Sequence, residues 1–137
     1  MGSVYRGIVA EQEKYAAAIA EAGVRVTVDP RRIEIPSCLV MVERAESTAT
    51  LACNGIFDTD WVIHVLGGAD AGIDTLRQLS AMVAQILAGM EIAPVTIEPG
   101  DYRFDDGNAA PSFAIRWTTE ADWLGLETVR DRVPVSK

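Results

Sequence analysis

The sequence predicts an α+β domain in which two amphipathic helices pack on one face of a mainly antiparallel sheet of four to five strands. Three observations predict it. Two stretches carry apolar residues at three-to-four spacing and each stops at a glycine. Between and after them run segments that alternate every second residue. The order along the chain is helix, three or four strands, helix, two strands, and two helices sharing one sheet face is the simplest packing for that order. With 137 residues, 49% apolar and 23% charged, the chain suits a single domain with its own core. Wholesale disorder is excluded, because it needs few apolar residues.

The first helix is expected over residues 5–22. Tyr5, Ile8, Val9, Tyr15 and Ile19 fall on one face, while Glu11, Glu13, Lys14 and Glu21 point elsewhere. Gly23 is placed to take the left-handed turn that ends a helix. Val24-Arg25-Val26-Thr27-Val28 reads as a short alternating strand, closed by an Asp29-Pro30 turn. Ile33-Glu34-Ile35-Pro36 is extended but not a central strand, since proline donates no ladder hydrogen bond.

Residues 38–43 form the most apolar strand. Cys38, Val40 and Val42 share one face, Leu39 and Met41 the other. A strand hydrophobic on both faces belongs in the middle of a layered domain or against a neighbouring subunit. A polar turn at 44–47 and a returning strand at 48–53 would set Cys38 roughly opposite Cys53. Asn54-Gly55 is a turn signal. Residues 57–66 then alternate, with Phe57, Thr59, Trp61, Ile63 and Val65 inward and Asp58, Asp60, Val62, His64 and Leu66 on the other side.

The second helix is expected over 71–88, entered through Gly67-Gly68-Ala69-Asp70. Ile73, Leu76, Leu79, Val83, Ile86 and Leu87 make its apolar stripe, Asp70 and Asp74 suit its N-terminus, and Gly89 is read as its stop. Residues 94–98 and 102–104 read as short extended pieces interrupted by Pro99-Gly100. Asp105-Asp106-Gly107-Asn108 reads as an exposed loop, and 111–119 as a final strand with Phe113, Ile115 and Trp117 on one face. Residues 1–123 thus make up the domain. Residues 124–137 are a C-terminal tail, in which Pro134 argues against a helix, that orders on binding.

Twelve basic residues against twenty acidic give a net charge of −8. Such a chain repels a phosphate backbone and anionic lipid alike, and no apolar run approaches the length of a membrane span. Two cysteines and a start without the basic-then-apolar pattern of an export signal point to a reducing compartment, the cytoplasm.

The candidates for chemistry are few. His64 is the single histidine, so imidazole catalysis would have to use it. It shares a strand face with Asp58 and Asp60, but strand rise separates Asp58 from His64 by about 20 Å, too far for one metal ion. Gly67-Gly68-Ala69-Asp70-Ala71-Gly72 sits where a dinucleotide-binding loop would, yet lacks the spacing of its glycines and places Asp70 where pyrophosphate should dock. Ser37-Cys38 has no nucleophile elbow around it. Asp105-Asp106 has nothing apolar beside it to raise a pKa. No catalytic centre, cofactor or metal is expected. Trp61 and Trp117 read as core, and Trp123 as an interface anchor.

The run Ala22-Gly23-Val24-Arg25-Val26, then Asp29-Pro30-Arg31, then Ile35-Pro36-Ser37-Cys38-Leu39-Val40 resembles the early part of tail terminator proteins of long-tailed, siphovirus-type bacteriophages. Asp60-Trp61-Val62-Ile63-His64-Val65, a glycine-rich break and the helix carrying Leu76, Leu79, Val83 and Leu87 continue the likeness, which covers about residues 5 to 120. The resemblance implies a structural virion protein. It would form a homo-oligomeric ring, usually of six, that caps the tail tube, ends tube polymerisation and joins the tail to the head connector. Its partners would be its own copies, the tube protein and the connector protein, with DNA passing through unread. It would sit at the head-proximal end of the tail, and in the host cytoplasm during assembly. Leu39, Met41 and Trp123 are then candidate interface residues, and Asp101, Asp105 and Asp106 candidates to face the channel, where like charge keeps DNA sliding. Another head-to-tail neck protein fits the composition equally. A reading from a different class is a small-ligand-binding or enzymatic α+β domain with a pocket between helices and sheet, served by His64.

Overall fold

The computed structural model describes residues 2–47, 56–68, 73–92 and 94–122. It is an α+β fold in the order α1 (Gly2–Glu21), β1 (Val26–Thr27), β2 (Ser37–Ser47), β3 (Ile56–Leu66), α2 (Ile73–Gly89), β4 (Thr96–Arg103) and β5 (Ala109–Asp122), with a 3-10 turn at Pro30–Arg32. The five strands form one sheet in the spatial order β1-β2-β3-β5-β4. Every pairing is antiparallel except β1 with β2.

The sequence pattern fixes which sheet face meets the helices. Side chains alternate along a strand, and the registers Val40↔Ile63, Val42↔Trp61, Ile63↔Ile115 and Trp61↔Trp117 align the apolar positions of three neighbouring strands. Onto this face α1 sets Tyr15 and Ile19, and α2 sets Leu79, Met82, Val83 and Ile86, in one buried cluster. The end of α1 satisfies its last carbonyls in the Schellman arrangement. Gly23 N–H donates to Ala20 O at 3.0 Å and Val24 N–H to Ile19 O at 3.3 Å, with Gly23 at φ 96° and Ile19 and Val24 in the same apolar cluster.

Several elements differ from the sequence expectation, each for a physical reason. The strand expected at 24–28 pairs only over Val26–Thr27, because β1 lies parallel to β2 at the sheet edge and its chain must leave to return to Ser37. The turn expected at 44–47 is strand instead: β2 continues to Ser47, and a bulge between Val42 and Arg44 absorbs one residue. Cys38 therefore pairs with Val65 and not with Cys53; it is a free, buried thiol whose pKa burial pushes up to about 12. The strand expected at 48–53 and the Asn54-Gly55 turn lie outside the described residues.

β4 runs unbroken through Pro99 and Gly100, pairing them with Phe113 and Ser112. An edge strand tolerates proline because the missing N–H faces away from the ladder. Leu76, placed on the apolar stripe by spacing, is 47% exposed. It belongs to the early part of α2, beside β4, where the sheet reaches past the helical layer. Gly89 is the last residue of α2 rather than a left-handed stop; its lack of a side chain serves a close approach, since a Cβ there would sit 2.8 Å from Ala22 Cβ.

Candidate interaction surfaces

Three surfaces follow from this frame. On the helix side, Tyr15, Trp61 and Trp117 form an aromatic cluster. Tyr15 stands edge-on to Trp61 (5.2 Å) and to Trp117 (5.1 Å), and the two indoles stack at 6.5 Å. Trp61 Nε1 donates to Thr119 Oγ1 at 3.0 Å, Thr119 Oγ1 to Glu11 at 3.3 Å, and the Tyr15 hydroxyl to Glu11. Burial first, and the Glu11 carboxylate second, hold the Tyr15 phenol well above its ordinary pKa. Trp117 Nε1 is buried and closes no hydrogen bond of standard geometry among the described residues. Beside this cluster opens a cavity of 530 Å³ lined by Lys14, Tyr15, Met90, Ile92, Trp117 and Thr119, among others.

The opposite sheet face carries Leu39, Val62 and Leu66, all buried, although the described helices α1 and α2 pack on the other face. The β4–β5 hairpin turns over this face. Tyr102 packs at a tilt against His64 at 5.0 Å and Phe104 meets Tyr102 edge-on at 5.3 Å, and Phe104 shares a cavity with Pro30 and Ile33 of the β1–β2 connection. His64 is thus held between strands and hairpin. Burial, then the Arg116 charge, lowers its pKa, while Glu43 opposes them. The bulge in β2 brings Glu43 to Arg116, whose Nε and Nη2 donate to it at 3.0 and 3.3 Å, and Glu98 accepts from Arg116 on its other side. Farther along the same face, Glu46, Asp58 and Glu120 lie directly opposite one another across β2, β3 and β5.

The third surface is the β4 edge. All of β4 is exposed except Tyr102, which is half-buried. Its Ile97 (40% exposed) and Leu76 of α2 are the exposed large hydrophobic residues among the described ones. Leu76, Leu79, Pro99, Gly100 and Phe113 line a shallow cleft of 200 Å³ between helix and edge.

The sequence candidates fall across these surfaces without converging. Leu39, expected at an interface, is 1% exposed and is covered inside its own chain. Met41 is half-buried on the same face, and Trp123 lies outside the described residues. Asp101, Asp105 and Asp106 are exposed on β4 and its hairpin. Asp106 already accepts from Asn108 N–H (2.9 Å) and Nδ2 (3.1 Å), and both loop aspartates border the cavity that holds Arg31. The pocket between helices and sheet does not contain His64, which lies on the other face, so the two features behind the ligand-binding reading are separated by the sheet. The Arg116 clamp and the Glu46–Asp58–Glu120 row were not foreseen. Both depend on strand register, which the bulge shifts and which spacing within one strand does not reveal.

No family model matches the chain, and no curated protein matches it significantly.

The His64 environment gives a prediction. Its folded pKa lies below the ordinary value, so on acidification the unfolded chain takes up the proton first. The stability this adds is complete above about pH 6.5, falls as pH drops toward the folded pKa, and is level below it. The single histidine ring is expected to titrate below about 6.5 by NMR, and His64→Phe is expected to remove this part of the pH dependence. A titration midpoint above that value would contradict the packing described.

Proposed function

We propose that this chain is a structural virion subunit that assembles head-to-tail into a ring at the end of a bacteriophage tail tube, ends its growth and joins it to the head connector. The observation that carries the reading is the β4 edge. A long, exposed strand that carries Ile97 beside exposed Leu76 lies at one side of the sheet of described strands, and the short β1 with its Asp29-capped turn lies at the other. A ring built by repeated head-to-tail contact needs two unlike patches on each subunit, and these sheet edges are unlike in length, polarity and shape. The motif resemblance across about residues 5 to 120 supports the same reading. Asp101, Asp105 and Asp106 are assigned to the channel, where repulsion keeps DNA from adhering.

The test is to add the protein to purified tail tubes and examine them by electron microscopy, with light scattering of the protein alone and with tubes. Rings at one tube end are expected. Ile97→Lys combined with Leu76→Lys is expected to abolish them while leaving the circular dichroism spectrum intact, because both side chains are exposed and a charge buried at a contact is strongly unfavourable. Bare tube ends with the unsubstituted protein would reject the reading; attachment to connectors and not to tubes would favour a different neck protein. Lysine at Asp101, Asp105 and Asp106 is expected to slow genome ejection more than assembly, and unchanged infectivity would remove them from the channel.

A further inference from the structure

A cavity of 580 Å³ opens where the β1–β2 connection meets the start of β2, with Arg25, Thr27, Arg31, Arg32, Ile33 and Ser37 on its wall. That is the size of a small-molecule site, about 300–1,000 Å³. Three arginines gather here in a chain of net charge −8.

Strand pairing builds the site. Cys38 N–H donates to Arg25 O at 2.9 Å, and Val26 stands opposite Cys38. Val26 and Cys38 pack with the helices, so by alternation Arg25, Thr27 and Ser37 all project to the other face of the sheet. Asp29 then caps the 3-10 turn by accepting from Arg31 N–H at 2.9 Å, which sets Arg31 and Arg32 on the wall of the same opening.

Two features make an anion the fitting ligand. The first is charge. Arg31 Nε and Arg32 Nε both lie 3.6 Å from the one Asp29 carboxylate, and Arg25 Nη1 lies 3.3 Å from Glu34. Two carboxylates against three guanidinium groups leave one positive charge in excess. All three arginine side chains are more than half exposed, and exposed pairs hold weakly, so the Nη atoms of Arg31 and Arg32 stay available as donors. Asp105 and Asp106, which border a neighbouring cavity with Arg31, form no ion pair with it. The second feature is Ser37. It is 1% exposed, the most deeply buried residue of the wall, and its Oγ has no hydrogen-bond partner among the described residues. A buried hydroxyl without a partner carries a desolvation cost, which an accepting oxyanion at the inner end of the cavity removes.

We propose that this cavity binds the oxyanion group, phosphate or carboxylate, of a small organic anion. The group accepts from the Nη atoms of Arg31 and Arg32, from Arg25 and from the Ser37 hydroxyl, while half-buried Ile33 packs against the apolar part of the ligand. Arginine suits this role, since its planar fork matches either group with two parallel hydrogen bonds. Such a site stands whether or not the chain forms a ring.

NMR titration of the full, isotope-labelled chain tests it, with inorganic phosphate in one arm, succinate in the other, and ionic strength held constant with chloride. Saturating shifts confined to the amides of residues 25–37 are expected, with a dissociation constant on the order of a millimolar or tighter. Saturation by phosphate alone assigns a phosphate group, by succinate alone a carboxylate, and by both an oxyanion without preference between them. The variants R31Q/R32Q and S37A are each expected to weaken binding on the order of tenfold with the circular dichroism spectrum unchanged. R77Q, which removes a charge that does not line the cavity, is expected to leave the affinity as it was. Shifts that never saturate or that spread over the chain, an affinity indifferent to R31Q/R32Q or to S37A, or an equal loss in R77Q would each overturn the proposal.

Discussion

Trp61→Ala is expected to lower stability by about 3–5 kcal/mol, a large share of the roughly 5–15 kcal/mol that holds a domain of this kind folded. Trp61 is fully buried and occupies the centre of the sheet on β3, where three contributions meet. Its ring packs against both Tyr15 and Trp117, its loss leaves a cavity that close-packed neighbours only partly collapse into, and Thr119 Oγ1 loses the indole N–H that it accepts. Trp61→Phe separates these effects. It keeps most of the apolar volume and deletes the hydrogen bond, so it is expected to cost about 0.5–1.5 kcal/mol, the net worth of one ordinary hydrogen bond, because half-buried Thr119 keeps its bond to Glu11. Urea unfolding followed by circular dichroism measures both. Near-equal losses for the two variants would show that the hydrogen bond, and not the packing, dominates at this position.

The legible parts of the fold are those where one local rule acts alone. The alternation of residues 57–66 identifies β3 and its inward face correctly, because Trp61, Ile63 and Val65 have no competing signal. Gly23 marks the end of α1 for the conformational reason that the sequence suggests. Elsewhere tertiary pairing overrides local preference. The polar stretch Arg44-Ala45-Glu46-Ser47 reads as a turn, but β3 offers it a partner through Phe57, and charged residues are well placed on a solvent-facing sheet surface. Pro99-Gly100 reads as a break, but β5 holds it in an edge strand. The double-sided apolar pattern at 38–43 did indicate an inner strand, which β2 is, between β1 and β3; that Tyr102 and Phe104 meet His64 on the second face depends on strand register and not on any local motif.

The candidate surfaces divide the same way. Individual exposed aspartates at 101, 105 and 106 could be read from their loop-like surroundings. A patch such as Ile97 with Leu76 could not, because it arises only where the edge strand β4 and the early part of α2 come together in the fold. Sequence spacing reports which face of an element is apolar; it does not report whether the opposing layer is wide enough to cover that face.

Gly89 supplies the second large expected effect. The ends of α1 and α2 cross so closely that a Cβ on Gly89 would stand 2.8 Å from Ala22 Cβ and 3.5 Å from Ala18 O, and Gln85 Nε2 donates to Ala22 O at 3.4 Å across the same junction. Gly89→Ala would ordinarily stabilise a helix by about 1 kcal/mol. Here it is expected to destabilise by about 1–3 kcal/mol, because the added methyl must push two packed helices apart. Ala22→Gly removes the opposing methyl. The double variant, Gly89→Ala with Ala22→Gly, is therefore expected to recover most of the loss, with a coupling of about 1–2 kcal/mol in the cycle of four proteins. Additive effects in that cycle would mean that the helices separate without strain and that Gly89 acts through its own backbone. A strong coupling would instead locate the constraint in the distance between the helices, which is set by how Tyr15, Ile19, Val83 and Ile86 seat them on the sheet.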